Sequence, residues 1–406
     1  MNTPMGSGMG ERIATLRYRR SLTQEELAEC AEISVDVVRK LEQGRRKTAR
    51  LTTINAIARA LDTEPSYLLG QPGTYEIHDG SEDESPSVLA LRQAISPVAD
   101  LLGGEPDPED PPSIHELQES LRSTEVIRRE GRMAEIGVLL PPLIQDARAV
   151  VHSSTGSEKA AANSVLALAY QVASVTLTGL GKEDAAFTAM ERSMLAVQGC
   201  DDPGLETMAA STLSYVLTKQ GRLADAERVA MTRAAAIEPG FNSTPQELAL
   251  WGILLLRAAT AAVRQKKHAQ VLDLLRMAKG AAETMDQDLL LHATPFGPTN
   301  TGVARVNFLV EMEHSDDAVR AARSVRHLTS LPPTWRARFH VDRALAFNDM
   351  EKDSQAVGAL LTAEEDAPEW MRYHSTSRRL VEELRGRAAR RDAPVNALAD
   401  RLGLLR

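Results

Sequence analysis

Basic residues are concentrated in one short segment of an otherwise acidic chain. Residues 39–50 contain six Lys and Arg and one acid, although the 406-residue chain has a net charge of −9. Clustered cations of this kind are typical of surfaces that contact nucleic-acid phosphates. A solvated charged face on a small helical domain fits the same charges equally well, so the charge pattern alone does not decide between the two.

No set of residues in the sequence is typical of catalysis. The nine histidines show no metal-ligand spacing, and His115-Glu116 lacks the second histidine of a zincin helix. Gly179-Leu180-Gly181 lacks the third glycine of a dinucleotide-binding loop. Cys30 and Cys200 are too few for a disulfide framework or a zinc finger, and each is a bystander thiol or a redox sensor. We therefore expect no enzyme activity, metal or cofactor.

The elements around the basic segment are predicted to be five short helices within residues 9–69. Thr23 followed by Glu26 predicts a capping box at the start of the second helix. Ser34 is an N-cap for the third helix, which Gly44 ends. The inward positions of the third helix are Val38 and Leu41, which leaves exposed Val35, Asp36, Val37, Arg39 and Lys40.

Three sequence phrases in this region resemble the Cro/repressor (XRE) helix-turn-helix family. They are Leu22-Thr23-Gln24-Glu25-Glu26-Leu27-Ala28, then Ile33-Ser34, then Leu41-Glu42-Gln43-Gly44-Arg45-Arg46-Lys47, and the resemblance extends to Leu69. It implies that Arg17 and Glu42 form a buried ion pair between the first and third helices. Glu32 departs from the pattern, because the family usually has glycine in that turn.

The resemblance also implies which residues contact double-stranded DNA. Gln24 and the loop residues Arg45, Arg46 and Lys47 are expected at phosphates, and the third helix is expected to read bases in the major groove. The remaining residues of the predicted DNA-binding set lie on that helix or at its N-cap: Ser34, Val35, Asp36, Val37, Arg39 and Lys40. One such domain covers a half-site, so we expect a homodimer on a palindromic operator.

An acidic segment separates this domain from the rest of the chain. Residues 71–112 contain one basic and ten acidic residues and many prolines and glycines, which predicts a linker. A single helix is expected inside it, from Val88 to Leu102. The predicted organisation is a disordered N-terminus at 1–8, a DNA-binding domain at 9–70, the linker at 71–112, and a helical-repeat regulatory and dimerisation domain at 113–406.

The C-terminal region repeats one phrase, a turn followed by a helix that begins with polar and small residues. Its clearest copies begin at Gly131, Gly181 and Gly221, and weaker copies begin at Lys266, Glu313 and Glu351, with 38 to 50 residues between successive starts. Each copy lies between two apolar-periodic helices. The copies resemble degenerate tetratricopeptide repeats, which implies an all-α superhelical array of antiparallel helix pairs. A non-repetitive helical bundle is the alternative.

A superhelical array has a concave face suited to an extended peptide or a partner helix. If the first helix of each pair lines that face, its polar positions are the candidate ligand-binding residues. An equally good explanation is that they solvate a helix or, for Asn300, cap one. The candidates are Gln171, Tyr215, Arg264, Asn300, Asn307 and Asn348.

The whole layout resembles a group of actinobacterial regulators and, with fewer matching motifs, the peptide-pheromone receptors of Gram-positive bacteria. This implies a cytoplasmic transcription regulator whose repeats sense a peptide, protein or small ligand. An interaction scaffold or antitoxin-like inhibitor with autoregulatory DNA binding is the alternative. The sequence has no continuous apolar run as long as a membrane span, so no membrane association is expected.

Overall fold

A computed structural model describes residues 8–45, 49, 51–63, 65–69, 86–102, 111–387 and 393–404. The regular elements among these residues are helices apart from one two-stranded hairpin, which confirms the predicted all-α class. The chain divides into two compact units. The first comprises residues up to 127, 133–176 and 191–201, and the second comprises 128–132, 177–190 and 202 onward.

Five short helices form the N-terminal part of the first unit. Their bounds are α1 Met9–Arg19, α2 Gln24–Cys30, α3 Val35–Glu42, α4 Leu51–Ala60 and α5 Pro65–Leu69. The predicted capping box is confirmed, since Thr23 Oγ1 accepts from the Glu26 amide while the Glu26 carboxylate accepts from the Thr23 amide. The Ser34 hydroxyl accepts from the Val37 amide at the start of α3.

The turn between α2 and α3 explains the departure at Glu32. This residue has a φ of 53°, in the left-handed region that favours glycine. The Ile33 amide closes the turn by donating to the Ala28 carbonyl at 3.0 Å. The turn therefore keeps its geometry with a strained residue in place of glycine.

The middle of the first unit corrects one expectation. The single helix predicted from Val88 to Leu102 is instead two, α6 Pro86–Ile95 and α7 Val98–Leu101, because Pro97 starts a new helix after Ser96. α6 packs on α9, and its Leu91 is fully buried. Residues 71–85 and 103–110 of the predicted linker lie outside the described residues.

Three longer helices follow α7. They are α8 Ile114–Glu130, α9 Met133–Ser153 and α10 Gly156–Gly179. Within the first unit, α4 and α5 both contact α9. α10 and, in the second unit, α14 are long and apolar enough to span a membrane by composition, but 72% and 61% of their apolar windows are buried in protein. Helices that are buried in protein to this extent are core helices of the fold.

The second unit is a succession of antiparallel helix pairs. Its elements are α11 Glu183–Val197 (to Met190), α12 Pro203–Lys219, α13 Leu223–Ala236, α14 Pro245–Arg264, α15 His268–Glu283, β1 Leu289–Leu291, β2 Thr294–Phe296, α16 Pro298–Glu311, α17 Ser315–Ala322, a 3₁₀ turn Leu328–Ser330, α18 Pro333–Asp349, α19 Asp353–Asp366, α20 Pro368–Tyr373, α21 Ser375–Arg387 and α22 Ala393–Arg401. From α12 to α19, consecutive helices pack together, and α12, α14, α16 and α18 also contact in sequence. This is the packing of a helical-repeat array.

The six predicted repeat turns share one backbone conformation. Gly131, Gly181 and Gly221 have φ values of 73°, 72° and 76°. The weaker copies have left-handed residues at the equivalent positions, with φ values of 59° at Lys266, 64° at Glu313 and 56° at Glu351. In the last five of these turns, the residue after the left-handed residue donates its backbone amide to the carbonyl five residues before it. In the third turn, for example, the Arg222 amide donates to the Leu217 carbonyl.

A short hairpin precedes α16 and was not predicted. β1 and β2 pair antiparallel, with Leu289 opposite Phe296. Phe296 is fully buried against Gly252 of α14, where a Cβ would lie 1.9 Å from the ring. The hairpin also sets the start of α16, because the Asp288 carboxylate accepts from the Thr299 and Asn300 amides at 2.8 and 2.7 Å.

Candidate nucleic-acid interface and repeat groove

A buried ion pair fixes α3 against α1, as predicted. Arg17 donates through Nε to Glu42 Oε1 at 2.7 Å and through Nη2 to Oε2 at 2.8 Å, and each side chain is 6% exposed. The remaining guanidinium nitrogen, Nη1, donates to the Leu22 carbonyl at 2.8 Å. The hydrogen bond that Arg17 donates to Glu42 raises the pKa of Arg17. The guanidinium therefore holds both the third helix and the start of the second.

The outward face of α3 is mainly charged. Lys40 pairs with Asp36 at 2.7 Å, which lowers the pKa of the Asp36 carboxyl. Arg39 pairs with Glu25 of α2 at 3.0 Å. All four side chains are about half exposed or more, so these surface pairs contribute little to stability and can exchange for phosphate or base contacts.

The two valines predicted on this face are less exposed than expected. Val35 and Val37 are half-buried and pack against the core of the five-helix domain. α3 is short and its neighbours α1 and α2 are close, so apolar side chains beside the buried stripe turn partly inward. Only the remaining exposed surface of the two side chains is free for the predicted contact with a base.

The predicted phosphate-binding residues have different surroundings. Gln24 donates through Nε2 to Glu42 at 2.7 Å, so its side chain is held against α3 by the same carboxylate that binds Arg17. Arg45 is exposed beyond Gly44, whose φ is 67°. Arg46 and Lys47 lie outside the described residues.

In the second unit, the first helices of successive pairs carry polar side chains one or two turns apart. Tyr215 and Lys219 lie on α12, and Arg257 and Arg264 lie on α14. The Tyr215 ring has the Arg257 guanidinium 5.1 Å and the Lys219 ammonium 5.7 Å from its centroid. Burial and the nearby arginines lower the pKa of Lys219 to about 8. We call this set of side chains the repeat groove, after the concave face that is predicted for the array.

α16 and α18 complete the repeat groove. Arg338 donates through Nε to Asp342 Oδ1 at 3.1 Å, and Asp342 is 1% exposed. The Asn307 amide of α16 lies beside this carboxylate and favours its charged form, and both Asn307 Nδ2 and Asp342 Oδ2 are buried. Burial raises the pKa of Asp342 and burial together with Arg338 and Lys219 lowers that of His374.

The six predicted ligand-binding residues do not form one cluster. Tyr215, Asn307 and Arg264 belong to the repeat groove, and Arg264 donates to the Thr218 carbonyl at 3.5 Å. Gln171 is buried on α10 in the other unit. Asn348 bonds to Glu383 and Arg387 of α21, so it ties two helices together.

Asn300 has a structural position rather than a groove position. It is 3% exposed, and its backbone amide is capped by Asp288. The suggestion that Asn300 itself caps α16 is wrong, because the N-cap residue is Gly297. The residues that sequence reasoning missed are Lys219, Arg257, Arg338, Asp342 and His374. The sequence signal that could have found some of them is a pair of polar residues four positions apart on one helix, such as Arg338 and Asp342.

The described residues contain no group of three or more His, Cys, Asp or Glu arranged to hold a metal ion. Cys30 is exposed and Cys200 is partly exposed, and both are free thiols. Neither unit therefore presents a metal centre among the residues that the structure describes.

Comparison with known proteins identifies the N-terminal domain. Residues 9–67 match the family described as a helix-turn-helix domain. The chain thus contains an N-terminal helix-turn-helix domain, which a helical-repeat array follows. A search of curated protein sequences finds no match to the chain.

Solved structures with remote similarity extend over most of the chain. One is PlcR from Bacillus thuringiensis in complex with the peptide PapR7 and DNA, at 10% identity and a TM-score of 0.38, covering 87% of this chain and 98% of that one. A second is apo ComR from S. thermophilus, at 13% identity and a TM-score of 0.29, covering 87% of this chain and 98% of that one. A third is apo ComR from Streptococcus vestibularis, at 11% identity and a TM-score of 0.33, covering 86% of this chain and 97% of that one.

Proposed function

We propose that this protein is a sequence-specific, DNA-binding transcription regulator whose repeat unit binds a ligand that changes its affinity for DNA. The observation that carries the proposal is the fixed position of α3. The buried Arg17–Glu42 pair holds this helix in a matched helix-turn-helix domain, while Asp36, Arg39 and Lys40 remain exposed on its outer face. A helix so presented fits the major groove of duplex DNA.

The proposed DNA contacts are of two kinds, contacts to phosphates and contacts to base edges. Arg45, Arg46, Lys47 and the N-terminal end of α2 at Gln24 contact phosphates, which provides affinity without sequence preference. Ser34, Arg39 and the outer face of α3 contact base edges or the adjacent backbone. Asp36 is suited to accept from a cytosine amine, and the exposed parts of Val35 and Val37 to pack on thymine methyl groups.

The regulator acts as a homodimer on a palindromic operator, because one domain of this size covers only a half-site. Its ligand, whether a peptide, a protein or a small molecule, lies against Tyr215, Asn307 and Arg264 in the repeat groove. Binding there is coupled to DNA affinity as a free-energy linkage between two sites.

Selection of bound fragments from sheared genomic DNA tests the proposal directly. The full chain should retain specific fragments, and its affinity should fall steeply with salt concentration. Arg45→Ala should weaken binding to all sequences about equally and reduce the magnitude of the salt slope by about 1. Arg276→Ala is the matched control, since it removes the same charge from an exposed position on α15.

Two results would contradict the proposal. The first is failure to retain any duplex at low salt. The second is a salt slope near zero, or one that Arg45→Ala and Arg276→Ala change equally. Sedimentation with and without operator DNA tests the homodimer, and a monomer on a single half-site would exclude it. A stoichiometric protein partner that co-purifies with the chain and blocks DNA binding would favour the scaffold or antitoxin-like alternative.

A further inference from the structure

We propose that Arg39 contacts a DNA phosphate and that Glu25 holds the same guanidinium in the free protein, so that DNA must displace the Glu25 carboxylate. Glu25 then lowers the affinity for every duplex, whatever its sequence. The inference rests on the proposed DNA-binding function and deepens it, because it assigns Arg39 to the backbone rather than to a base and adds Glu25 to the residues that control binding.

The direction of the Arg39 side chain is the first observation. Arg39 belongs to α3, but its guanidinium lies against the first two residues of α2. Nη2 donates to Glu25 Oε1 at 3.0 Å, and Nε lies 3.5 Å from Gln24 Oε1. Lys40, the next residue, instead pairs with Asp36 of its own helix. Arg39 is therefore turned toward the start of α2, whereas Lys40 stays on the outer face of α3.

A buried ion pair fixes the acceptor on the Gln24 side of this guanidinium. The Gln24 amide donates through Nε2 to Glu42 Oε2 at 2.7 Å, and Glu42 also binds Arg17, with both charged side chains 6% exposed. Because Nε2 is held by Glu42, Oε1 is the end of the amide that faces Arg39. Gln24 thus keeps the guanidinium at the start of α2.

The contact with Glu25, in contrast, is made at the surface. The Arg39 and Glu25 side chains are 49% and 62% exposed, so their ion pair is weak and can exchange. The next acid, Glu26, is occupied by the backbone amide and the hydroxyl of Thr23. Carboxylate and phosphate oxygens both accept from the terminal nitrogens of arginine. A phosphate can therefore take the place of Glu25 on Arg39.

The position of this pair in the motif favours a phosphate over a base. In helix-turn-helix complexes the second helix of the motif lies in the major groove, while the first crosses the DNA backbone. α2 is the first helix here and α3 is the second, so a guanidinium at the start of α2 lies on the side where the backbone passes. Base edges are reached instead from the outer face of α3, where Asp36 and Lys40 lie.

Displacement of Glu25 has a cost that does not depend on the DNA sequence. The protein loses an ion pair, and the released carboxylate remains near the phosphate that replaces it. These like charges repel, and salt screens the repulsion. Because every duplex has the same phosphate backbone, the cost applies to the operator and to unrelated DNA alike.

Binding of the full chain to two duplexes tests the proposal. One is a genomic fragment that the wild-type chain selects, and the other is a synthetic duplex of scrambled sequence. Glu25→Gln should tighten binding to both by a similar factor, about two- to fivefold at low salt, and such a gain cannot come from a folding defect. Glu29→Gln is the matched control, since it removes the same charge from an exposed position one turn later on α2. Its effect should be smaller.

Variants of Arg39 test the other half of the proposal. Arg39→Gln should weaken binding to both duplexes by a similar factor and reduce the magnitude of the salt slope by about 1. Arg39→Lys keeps the charge without the planar fork and should recover part of the loss. In the Arg39→Gln background, Glu25→Gln should have no larger effect than Glu29→Gln, because the pair through which Glu25 acts is gone.

Three outcomes would overturn the proposal. The first is that Glu25→Gln tightens binding no more than Glu29→Gln does. The second is that Glu25→Gln has the same effect with and without Arg39, which would leave only a long-range charge effect. The third is that Arg39→Gln weakens binding to the selected fragment alone, which would make Arg39 a base-reading residue. Each leaves the regulator function standing, whereas a wild-type chain that binds neither duplex contradicts that function itself.

Discussion

Arg17 in the helix-turn-helix domain is buried and Arg257 in the repeat groove is partly buried, and their surroundings are opposite. Arg17 donates two hydrogen bonds to the Glu42 carboxylate and a third to a carbonyl. Arg257 donates one hydrogen bond of 3.2 Å to the Ser211 hydroxyl, and its guanidinium lies over the Tyr215 ring. A fully paired arginine stabilises its own domain, whereas an enclosed arginine without a carboxylate is suited to bind one from outside.

The largest expected effect concerns the paired arginine. Arg17→Met leaves the Glu42 carboxylate enclosed without its cation, and we expect the helix-turn-helix domain to lose about 3 kcal/mol of stability. Hydrogen exchange of the α3 amides in the full chain measures this loss locally. The double variant Arg17→Met with Glu42→Leu is the control and should recover much of it. Wild-type protection of α3 in the single variant would show that the pair is not what holds this helix.

The next effect concerns the unpaired lysine of the groove. The folded-state pKa of Lys219, about 8, is below its ordinary value of 10.5, so the native state binds fewer protons between these values and stability rises with pH across that window. Lys219→Met should therefore raise the melting temperature at pH 7 and lose this advantage toward pH 10. Lys279→Met, at an exposed lysine paired with Glu283, is the control. A pH-independent difference would contradict the direction given for the pKa.

A smaller effect tests a feature that the two regions share. Glu32 and Glu313 occupy left-handed turns with φ values of 53° and 64°. Glu32→Gly and Glu313→Gly should each stabilise the chain by about 0.5–1 kcal/mol, because glycine adopts this conformation without the Cβ clash. The reverse change, Gly221→Ala, should destabilise by about 1 kcal/mol. Denaturant unfolding measures all three, and stabilisation absent from both glutamate variants would show that these turns carry no strain.

The smallest effect is expected at Arg257 itself. Since Arg257 has no carboxylate to leave behind, Arg257→Met should change the free energy of unfolding by less than about 0.5 kcal/mol. Thermal unfolding of the ligand-free chain measures it, beside Arg17→Met as the reference. A loss as large as that of Arg17→Met would make Arg257 a structural residue and remove the contrast between the two regions.

The features that sequence reasoning recovered depend on neighbours close in the chain. The capping box at Thr23 and Glu26 and the cap at Ser34 span three residues each. The repeat turns were found even where glycine is replaced, as at Lys266, because polar residues still mark the end of one helix and the start of the next. The Arg17–Glu42 pair was predicted only because the resemblance supplied it.

The features that were missed depend on helices far apart in sequence. Gly252 and Phe296 meet only when α14 packs on the hairpin, and no local pattern marks that contact. Asn348 was predicted to bind a ligand in the groove, but its side-chain amide donates a hydrogen bond to Glu383 of α21. The phosphate contacts of Arg46 and Lys47 remain predictions, because both residues lie outside the described residues.

By itself the sequence determined the all-α class, the helix-turn-helix domain and the positions of the repeat turns, since helix periodicity, capping residues and turn residues act over a few positions. Only the tertiary structure decided which polar residues meet. Tyr215, Arg257, Asn307 and Asp342 come from four helices separated by tens of residues, and the stacking of those helices sets which charges have partners. Whether an arginine is structural or available to a ligand depends on what surrounds it in space, and a linear pattern does not contain that information.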